Sequence, residues 1–291
     1  MFNLIKMDLY RMFHSVSTWV ILLLTVGVAV FCIAATNIDI ELMAEDPQYA
    51  EKMLDETEEE EAAASQELQL GISAESDPHW IYGDIDAGDL LSIEIKSGIV
   101  TLLVVIFAAI FANAAQKNGY IKNVAGQLPD RGMLVLSQLA AMAVQILLMI
   151  LIFAAVVVAS GMIFWGDRVS FGSVSDILRL LGIQYLLNMG FAALILFLTI
   201  LTKSSAFSMT AGILMILRVL TPAYSIINRA VGQISSSWKF DINSYVLEGN
   251  INMAGIDASA EILVRAVVVG AAFLILSTVF AMLILKKRDV R

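Results

Sequence analysis

The sequence predicts an all-α membrane protein with six transmembrane helices. Of its 291 residues, 59% are hydrophobic and only 15% are charged, whereas soluble domains are roughly 45–50% apolar and 25% charged. The apolar residues form continuous runs that are long enough to cross a bilayer core of roughly 30 Å as helices. Because these runs are not interrupted by alternating polar residues, they exclude a membrane β-barrel.

The predicted spans are 17–36, 98–115, 133–164, 177–202, 206–221 and 262–285. The third is longer than one crossing requires, so we expect it to tilt or to project beyond the membrane. The fifth is short. We expect it to end near Pro222, because proline interrupts helical hydrogen bonding.

Basic residues predict which side of the membrane each connection occupies. Lysines and arginines occur in the first 16 residues, in the connection 116–132, at Lys203, and in the tail 286–291. The positive-inside rule places these four segments in the cytoplasm, so both termini are cytoplasmic. The segments 37–97 and 222–261 are then expected on the extracellular side.

The segment 37–97 carries most of the negative charge. Eighteen of the 27 carboxylates lie between Asp39 and Glu94, so the net charge of −9 describes this acidic segment and not the whole surface. One interpretation is a solvated helix or a partly disordered surface. Another is a lid, or a collector of cationic ligand. Near its end, Trp80, Ile81 and Tyr82 stand among turn residues and predict a small packed element.

The first 16 residues predict an amphipathic helix that lies in the cytoplasmic interface of the membrane. Apolar side chains recur there at intervals of three and four residues. They are Phe2, Ile5, Leu9, Met12, Phe13 and Val16.

Several kinds of chemistry are disfavoured. No G-x-x-x-x-G-K-[ST] motif occurs, so the chain cannot bind ATP in the manner of a P-loop protein. Its two histidines, His14 and His79, are predicted on opposite sides of the membrane, and Cys32 is the single cysteine. The predicted span interiors lack Asp and Glu, which disfavours a proton- or sodium-driven carrier. They also lack a catalytic dyad, so we expect a non-catalytic chain with no cofactor of its own.

Uncharged polar residues remain within the predicted spans. They are Asn113, Gln138, Gln145, Gln184 and Asn188. Helical spacing places Gln184 with Asn188 on one face, and Gln138 with Gln145 on another. Such residues form hydrogen bonds between helices, or they line a translocation path.

The connection 116–132 reads "QKNGYIKNVAGQLPDRG". It resembles the loop between the second and third spans of ABC-2 type permeases, the transmembrane subunits of ATP-binding-cassette exporters. The matching residues are Gly119, Ile121, Lys122, Asn123, Pro129 and Arg131. Asp130 stands where serine is common in that family, and Gln138 stands where a lysine is often found.

The resemblance implies that residues 118–130 form a coupling helix that contacts a separate ABC ATPase subunit. Lys203 would provide a second contact. Two ATPase copies would bind ATP and Mg²⁺, and this chain would pair with itself or with a related permease among membrane lipids, without nucleic acid. The segment 222–261 resembles the outer gate of the family, with Asn228, Ser235 and Trp238 as candidate gate residues.

The expected function is therefore export of an amphipathic substrate, such as an antimicrobial peptide, a lipid or a drug, across the bacterial plasma membrane. The alternative is a membrane sensor or assembly scaffold whose acidic extracellular segment binds a ligand.

Overall fold

The computed structural model describes residues 1–46, 76–117, 130–234 and 241–287. Its helices are α1 (Phe2–Phe13), α2 (Val16–Glu45), α3 (Ala87–Lys96), α4 (Ile99–Lys117), α5 (Met133–Trp165), α6 (Val174–Thr202), α7 (Ser205–Ile216), α8 (Thr221–Ile234), α9 (Leu247–Met253) and α10 (Ala260–Lys287). Two short strands, β1 (Ile85–Asp86) and β2 (Val169–Ser170), pair in parallel. Short 3₁₀ turns span Pro78–Ile81, Gly166–Arg168 and Ile242–Tyr245.

The described residues contain five helices that are long and apolar enough to cross a membrane, namely α2, α4, α5, α6 and α10. The helices α7 and α8 meet this criterion only as a pair, and they are bent by 66° relative to each other. The chain is a helical, multi-pass membrane protein by the length and composition of these helices. The count is five, or six if the bent pair forms one span.

The predicted fifth span, 206–221, is divided by a break. Helix α7 has 12 residues, and at 1.5 Å per residue it extends for about 18 Å, less than a bilayer core. It ends at Ile216, where the N–H groups of Arg218 and Val219 bond to carbonyls of its last turns. The expectation that Pro222 interrupts the helix is wrong, because Pro222 lies in the first turn of α8, where proline is well tolerated.

The core of the bundle is formed by α4 and α6, the most buried of the predicted spans. Helix α6 packs along α10 more extensively than any other pair of described helices. Gly190 and Gly270 permit this approach, since a Cβ atom added to Gly190 would lie 3.2 Å from the Gly270 carbonyl oxygen. Small residues at such crossings allow helix backbones to pack closely in membranes.

Part of the acidic segment 37–97 belongs to the bundle. Helix α2 continues past the predicted span end at residue 36 to Glu45. Helix α3 buries Leu90, Leu91 and Ile95, and a break at Gly98, with φ of 83°, separates it from α4. Residues 47–75, which carry nine of the 18 carboxylates, lie outside the described residues.

The small element predicted around Trp80 is packed in the structure. The Trp80 side chain is buried, and Arg168 donates hydrogen bonds to the carbonyls of Trp80, Ile81 and Gly83. The β1–β2 pair aligns residues 85 and 86 with residues 169 and 170. Arg168 therefore holds the turn at residues 80–83 against the connection between α5 and α6.

Helix α1 also packs against α5, a contact that the sequence analysis did not predict. Leu4, Asp8 and Met12 are its buried residues. Phe2 and Val16, which were expected on the face toward the membrane interface, are 80% and 77% exposed. These exposed apolar side chains suit contact with lipid, whereas the face toward the protein contains a buried carboxylate.

Candidate functional site

The connection 116–132 is described only at its two ends. Five of the residues that carry the resemblance lie outside the described part, namely Gly119, Ile121, Lys122, Asn123 and Pro129. Their role stays a prediction. Arg131 is described, is half-buried, and lies in the turn that leads into α5, where its carbonyl accepts the Leu134 N–H at 3.1 Å.

The first end of this connection is bonded to the turn that contains Lys203. The Gln116 side-chain amide donates to the Thr199 carbonyl at 3.1 Å, and the Lys203 N–H donates to the same carbonyl at 2.9 Å. The Thr199 hydroxyl is 2.7 Å from the hydroxyl of Ser208 at the start of α7. The two segments predicted to contact an ATPase therefore meet at one carbonyl group.

The second end is bonded to the last turn of α10. Lys286 Nζ lies 2.8 Å from Asp130 Oδ2, while Asp130 Oδ1 accepts the Gly132 N–H at 2.8 Å. The hydrogen bond from Lys286, followed by the one from Gly132, lowers the pKa of Asp130 below its ordinary value. This carboxylate is therefore ionised across the physiological pH range and holds the end of the connection to α10.

A third contact joins α1 to the helices on both sides of the connection. Asp8 is fully buried and accepts a hydrogen bond from the Ser137 hydroxyl of α5 at 2.6 Å. Arg11 pairs with Asp8 at 3.1 Å, and its guanidinium lies 4.5 Å from the centre of the Phe111 ring of α4. The sequence prediction missed Asp8, although its spacing of four residues from both Leu4 and Met12 indicates a shared face.

These contacts form what we call the anchor cluster, which lies at the end of the bundle where α4 ends and α5 begins. Its members are Asp8, Arg11, Gln116, Asp130, Ser137, Thr199 and Lys286. Because the cluster connects both ends of residues 118–129 to α1, α6 and α10, a displacement of that segment would act on several helices together.

The uncharged polar residues of the spans are buried or half-buried in the structure. Gln184 donates to the carbonyls of Ile251 and Ala254 at 2.9 and 3.2 Å, and Asn188 donates to the Gln184 carbonyl at 2.8 Å. The two Gln184 bonds fasten α6 to α9 and to the residues that follow it, whereas the Asn188 bond lies within α6. Of these bonds, the one from Gln184 to Ile251 is a hydrogen bond between helices of the kind that the first interpretation predicts.

The second polar pair lies on α5. Gln145 donates to the Thr18 carbonyl of α2 over a long 3.4 Å, and Gln138 is buried. Asn113 of α4 is half-buried. The observed contacts link Gln145 to α2 and Gln184 to α9, so they do not bring the two pairs together. A translocation path lined by these residues stays a prediction.

The candidate gate is described at Asn228 but not at Ser235 or Trp238. Asn228 donates to Asp241 at 2.9 Å and accepts the Ile242 N–H at 2.9 Å. In the same helix, the Tyr224 hydroxyl donates to Glu248 at 2.5 Å. Polar contacts thus hold α8 against the segment that follows it.

Besides Asp8, two further buried carboxylates outside the predicted spans were missed by the sequence prediction. Glu94 is 1% exposed and accepts a hydrogen bond from the Thr36 hydroxyl of α2 at 2.9 Å, and Glu248 is 7% exposed. Burial raises the pKa of both groups, and hydrogen bonds from Thr36 and Tyr224 offset part of that effect. The isoleucines at 93 and 95 were the signal that Glu94 lies in a packed helix.

The described residues contain no group of three or more His, Cys, Asp or Glu side chains that could hold a metal ion. No family model and no curated protein matches the sequence.

Proposed function

We propose that this chain is the transmembrane permease subunit of an ATP-driven ABC exporter in the bacterial plasma membrane. The observation that carries the proposal is the bonding of both ends of residues 118–129 to the rest of the bundle. Gln116 and the Lys203 turn meet at the Thr199 carbonyl, and Asp130 pairs with Lys286.

This bonding is what a force-transmitting loop requires. Packed helices move as bodies and do not deform continuously, so a push on a connection is effective only if its ends are fixed to several helices. Gln116 fixes one end to α6 and Asp130 fixes the other to α10. Through Asp8 and Ser137, α1 is fixed to the helix that follows the connection.

The energy source is a separate protein in this proposal. Because the chain has no phosphate-binding loop, two copies of an ABC ATPase bind ATP and Mg²⁺ and press on the cytoplasmic end. A second permease, identical or related, completes the transporter. The substrate is amphipathic in this proposal, because the buried polar side chains Gln138, Gln145, Gln184 and Asn188 are uncharged and lie among apolar side chains.

The test is co-expression with an ABC ATPase, and the first candidate is any ATPase with a phosphate-binding loop that is encoded beside this gene. Changing both Ile121→Asp and Lys122→Asp should abolish co-purification and reduce ATP turnover, because charge is placed where an apolar contact is expected. Tyr82→Asp is the matched control, since Tyr82 is 89% exposed and belongs to the element packed at the opposite end of the bundle. If the double variant and the control both bind and stimulate the ATPase like the wild type, the proposal is wrong. A co-purifying partner that hydrolyses no nucleotide would favour the sensor hypothesis.

A further inference from the structure

The contact between α2 and α3 contains a fully buried carboxyl group. Glu94 of α3 and Thr36 of α2 are each 1% exposed. The Thr36 hydroxyl donates a hydrogen bond to Glu94 Oε1 at 2.9 Å, so this carboxyl group joins the two helices directly. Cys32, one turn before Thr36, lies on the same buried face of α2. The contact belongs to the second half of α2, away from α1 and the anchor cluster.

The second oxygen of Glu94 has no partner in the described part of the chain. Glu94 Oε2 is buried and accepts no hydrogen bond there, and no ion pair between described residues involves Glu94. Taking a carboxylate charge out of water without a pairing cation is costly, whereas a neutral carboxyl group is buried at a much lower cost. The surroundings of Glu94 therefore favour its protonated form.

The ionisable groups on the neighbouring elements do not compensate a charge on Glu94. Helix α5 and residues 99–116 of α4 contain no ionisable residue. The Lys96 side chain lies beside Gly255, and Arg179 of α6 pairs with Asp176 at 3.1 Å. Burial raises the pKa of Glu94, Thr36 and Cys32 lower it by less, and no charged group contributes. The further ionisable residues on α2, on α3 and on the elements packed against α3 are Asp39, Glu41, Glu45, Asp86, Asp89, Tyr185 and Glu248.

The second half of α2 is the part of this contact that can move. Gly98, with φ of 83°, separates α3 from α4, so α3 is not a rigid continuation of the next span. Helix α2 is less buried along its apolar part than α4, α5 or α6. Beyond Thr36 it is held by the buried side chains Ile40 and Met43 and by its packing on the Trp80 turn. Segments with few buried contacts open at the lowest free energy.

We propose that Glu94 is a proton-controlled latch between α2 and α3. The latch is closed while the Glu94 carboxyl group holds its proton. When that proton passes to solvent, the remaining charge has no cation among the described residues around it, and the second half of α2 separates from α3 so that water solvates the carboxylate. The contact is thus complete at low pH and is lost as the pH rises. This inference does not depend on the exporter assignment, because it concerns a contact within the chain itself.

The single cysteine of the chain reports on the latch. Cys32 is buried and lies one turn from Thr36, so N-ethylmaleimide reaches it when α2 and α3 separate. The purified full-length chain in a maltoside detergent is labelled from about pH 5 to about pH 8.5, above the ordinary glutamate pKa. Each rate is divided by the rate for the denatured chain at the same pH, which removes the intrinsic pH dependence of the thiol. The ratio measures the opening equilibrium of the contact.

The wild type and three variants should differ in how this ratio depends on pH. In the wild type, opening should rise by up to about tenfold per pH unit until the pH passes the raised pKa of Glu94, because each opening releases one proton. Glu94→Gln should show no such rise, since an amide carries no charge and still accepts the Thr36 bond. Thr36→Val should open more at every pH and keep the rise. Asp84→Asn, which removes an exposed carboxylate, should match the wild type.

Three results would overturn the inference. One is a wild-type ratio that does not change with pH, and another is an equal rise in Glu94→Gln. The third comes from a protein that combines Cys32→Ser with Ala192→Cys, which places the thiol in the buried core of α6. This thiol should be labelled at least about tenfold more slowly than Cys32 at the highest pH, because core helices open at a higher free energy. Equal rates would show that the chain unfolds as a whole and that no local latch exists.

Discussion

Replacing Asp8 with alanine should loosen α1 from the bundle by an amount that the structure allows us to estimate. Asp8 is fully buried and accepts the Ser137 hydroxyl at 2.6 Å, while Arg11 pairs with it at 3.1 Å. Breaking a buried ion pair by removing one partner typically costs about 3–5 kcal/mol. The Arg11 side chain is 23% exposed, so water recovers part of its solvation and we expect a loss of about 2–4 kcal/mol.

The assay is a double-mutant cycle measured by reversible unfolding in mixed detergent micelles. The single variants are Asp8→Ala and Ser137→Ala, and both are combined in a third protein. A hydrogen bond to a charged group contributes about 1.5–3 kcal/mol, which is the coupling energy that we expect between the two sites. Lys6→Ala is the control, because Lys6 is exposed on the same helix and should change stability by less than about 0.5 kcal/mol.

Two outcomes would refute this reasoning. If Asp8→Ala costs no more than the Lys6→Ala control, the carboxylate is not a buried anchor. If the two single effects add without a coupling energy, the Asp8 and Ser137 side chains do not interact. In a complex with the ATPase, Asp8→Ala should also reduce the stimulation of ATP turnover, since α1 then no longer moves with α5.

Three further predictions concern protonation and helix packing. Burial raises the pKa of Glu94, so the contribution of Glu94 to stability is complete below the ordinary glutamate pKa and is lost as the pH rises through the raised pKa. Glu94→Gln should therefore make the melting temperature depend less on pH. An unchanged dependence on pH would contradict this. Gly190→Ala should cost about 1–3 kcal/mol, because the new methyl group would press on a backbone carbonyl and a leucine side chain. Gly182→Ala on the same helix should be neutral or stabilising in the same unfolding assay, since no described atom lies within 4 Å of the added Cβ atom. The pKa of Asp130 is lowered chiefly by Lys286, so their contact stabilises the fold above the ordinary aspartate pKa and is lost as the pH falls through the lowered pKa. Lys286→Met should raise the pKa of Asp130 measured by NMR titration. An unchanged pKa would show that the ion pair does not form.

The long apolar helices could be predicted closely because their signal is local. The predicted span 133–164 corresponds to α5, which ends at Trp165, and the predicted span 177–202 corresponds to α6, which ends at Thr202. A continuous apolar stretch of that length has few alternatives in a bilayer. The bend between α7 and α8 could not be predicted in the same way, because the residues 217–220 contain neither glycine nor proline and the turn depends on Arg218 adopting a positive φ.

Composition averaged over a long segment concealed the packed part of residues 37–97. The acidic residues dominate the average, yet the sequence "LLSIEI" at residues 90–95 has the apolar content of a packed helix. Helix α3 is therefore a case in which local pattern was more informative than segment charge. Asp8 was missed in a similar way, because the sequence prediction did not consider it although its spacing matched that of its buried neighbours Leu4 and Met12.

The location of the candidate site could be predicted, but its contacts could not. The basic connections at 116–132 and at Lys203 were assigned to one side from charge alone, and the structure joins them through Thr199. The pairs Gln116 with Thr199 and Asp130 with Lys286 are distant in sequence. No spacing rule relates such residues, because only the packing of the helices brings them together.

The most direct test of the central claim is site-specific photo-crosslinking in cells that express the chain with its candidate ATPase. A photoreactive amino acid is introduced at Lys203, which is exposed beside the anchor cluster, or at Tyr82, which is 89% exposed and belongs to the element packed at the other end. The account predicts that the probe at position 203 captures a nucleotide-hydrolysing protein and that the probe at position 82 does not. Capture from position 82 alone, or from neither position while the two proteins co-purify, would contradict it.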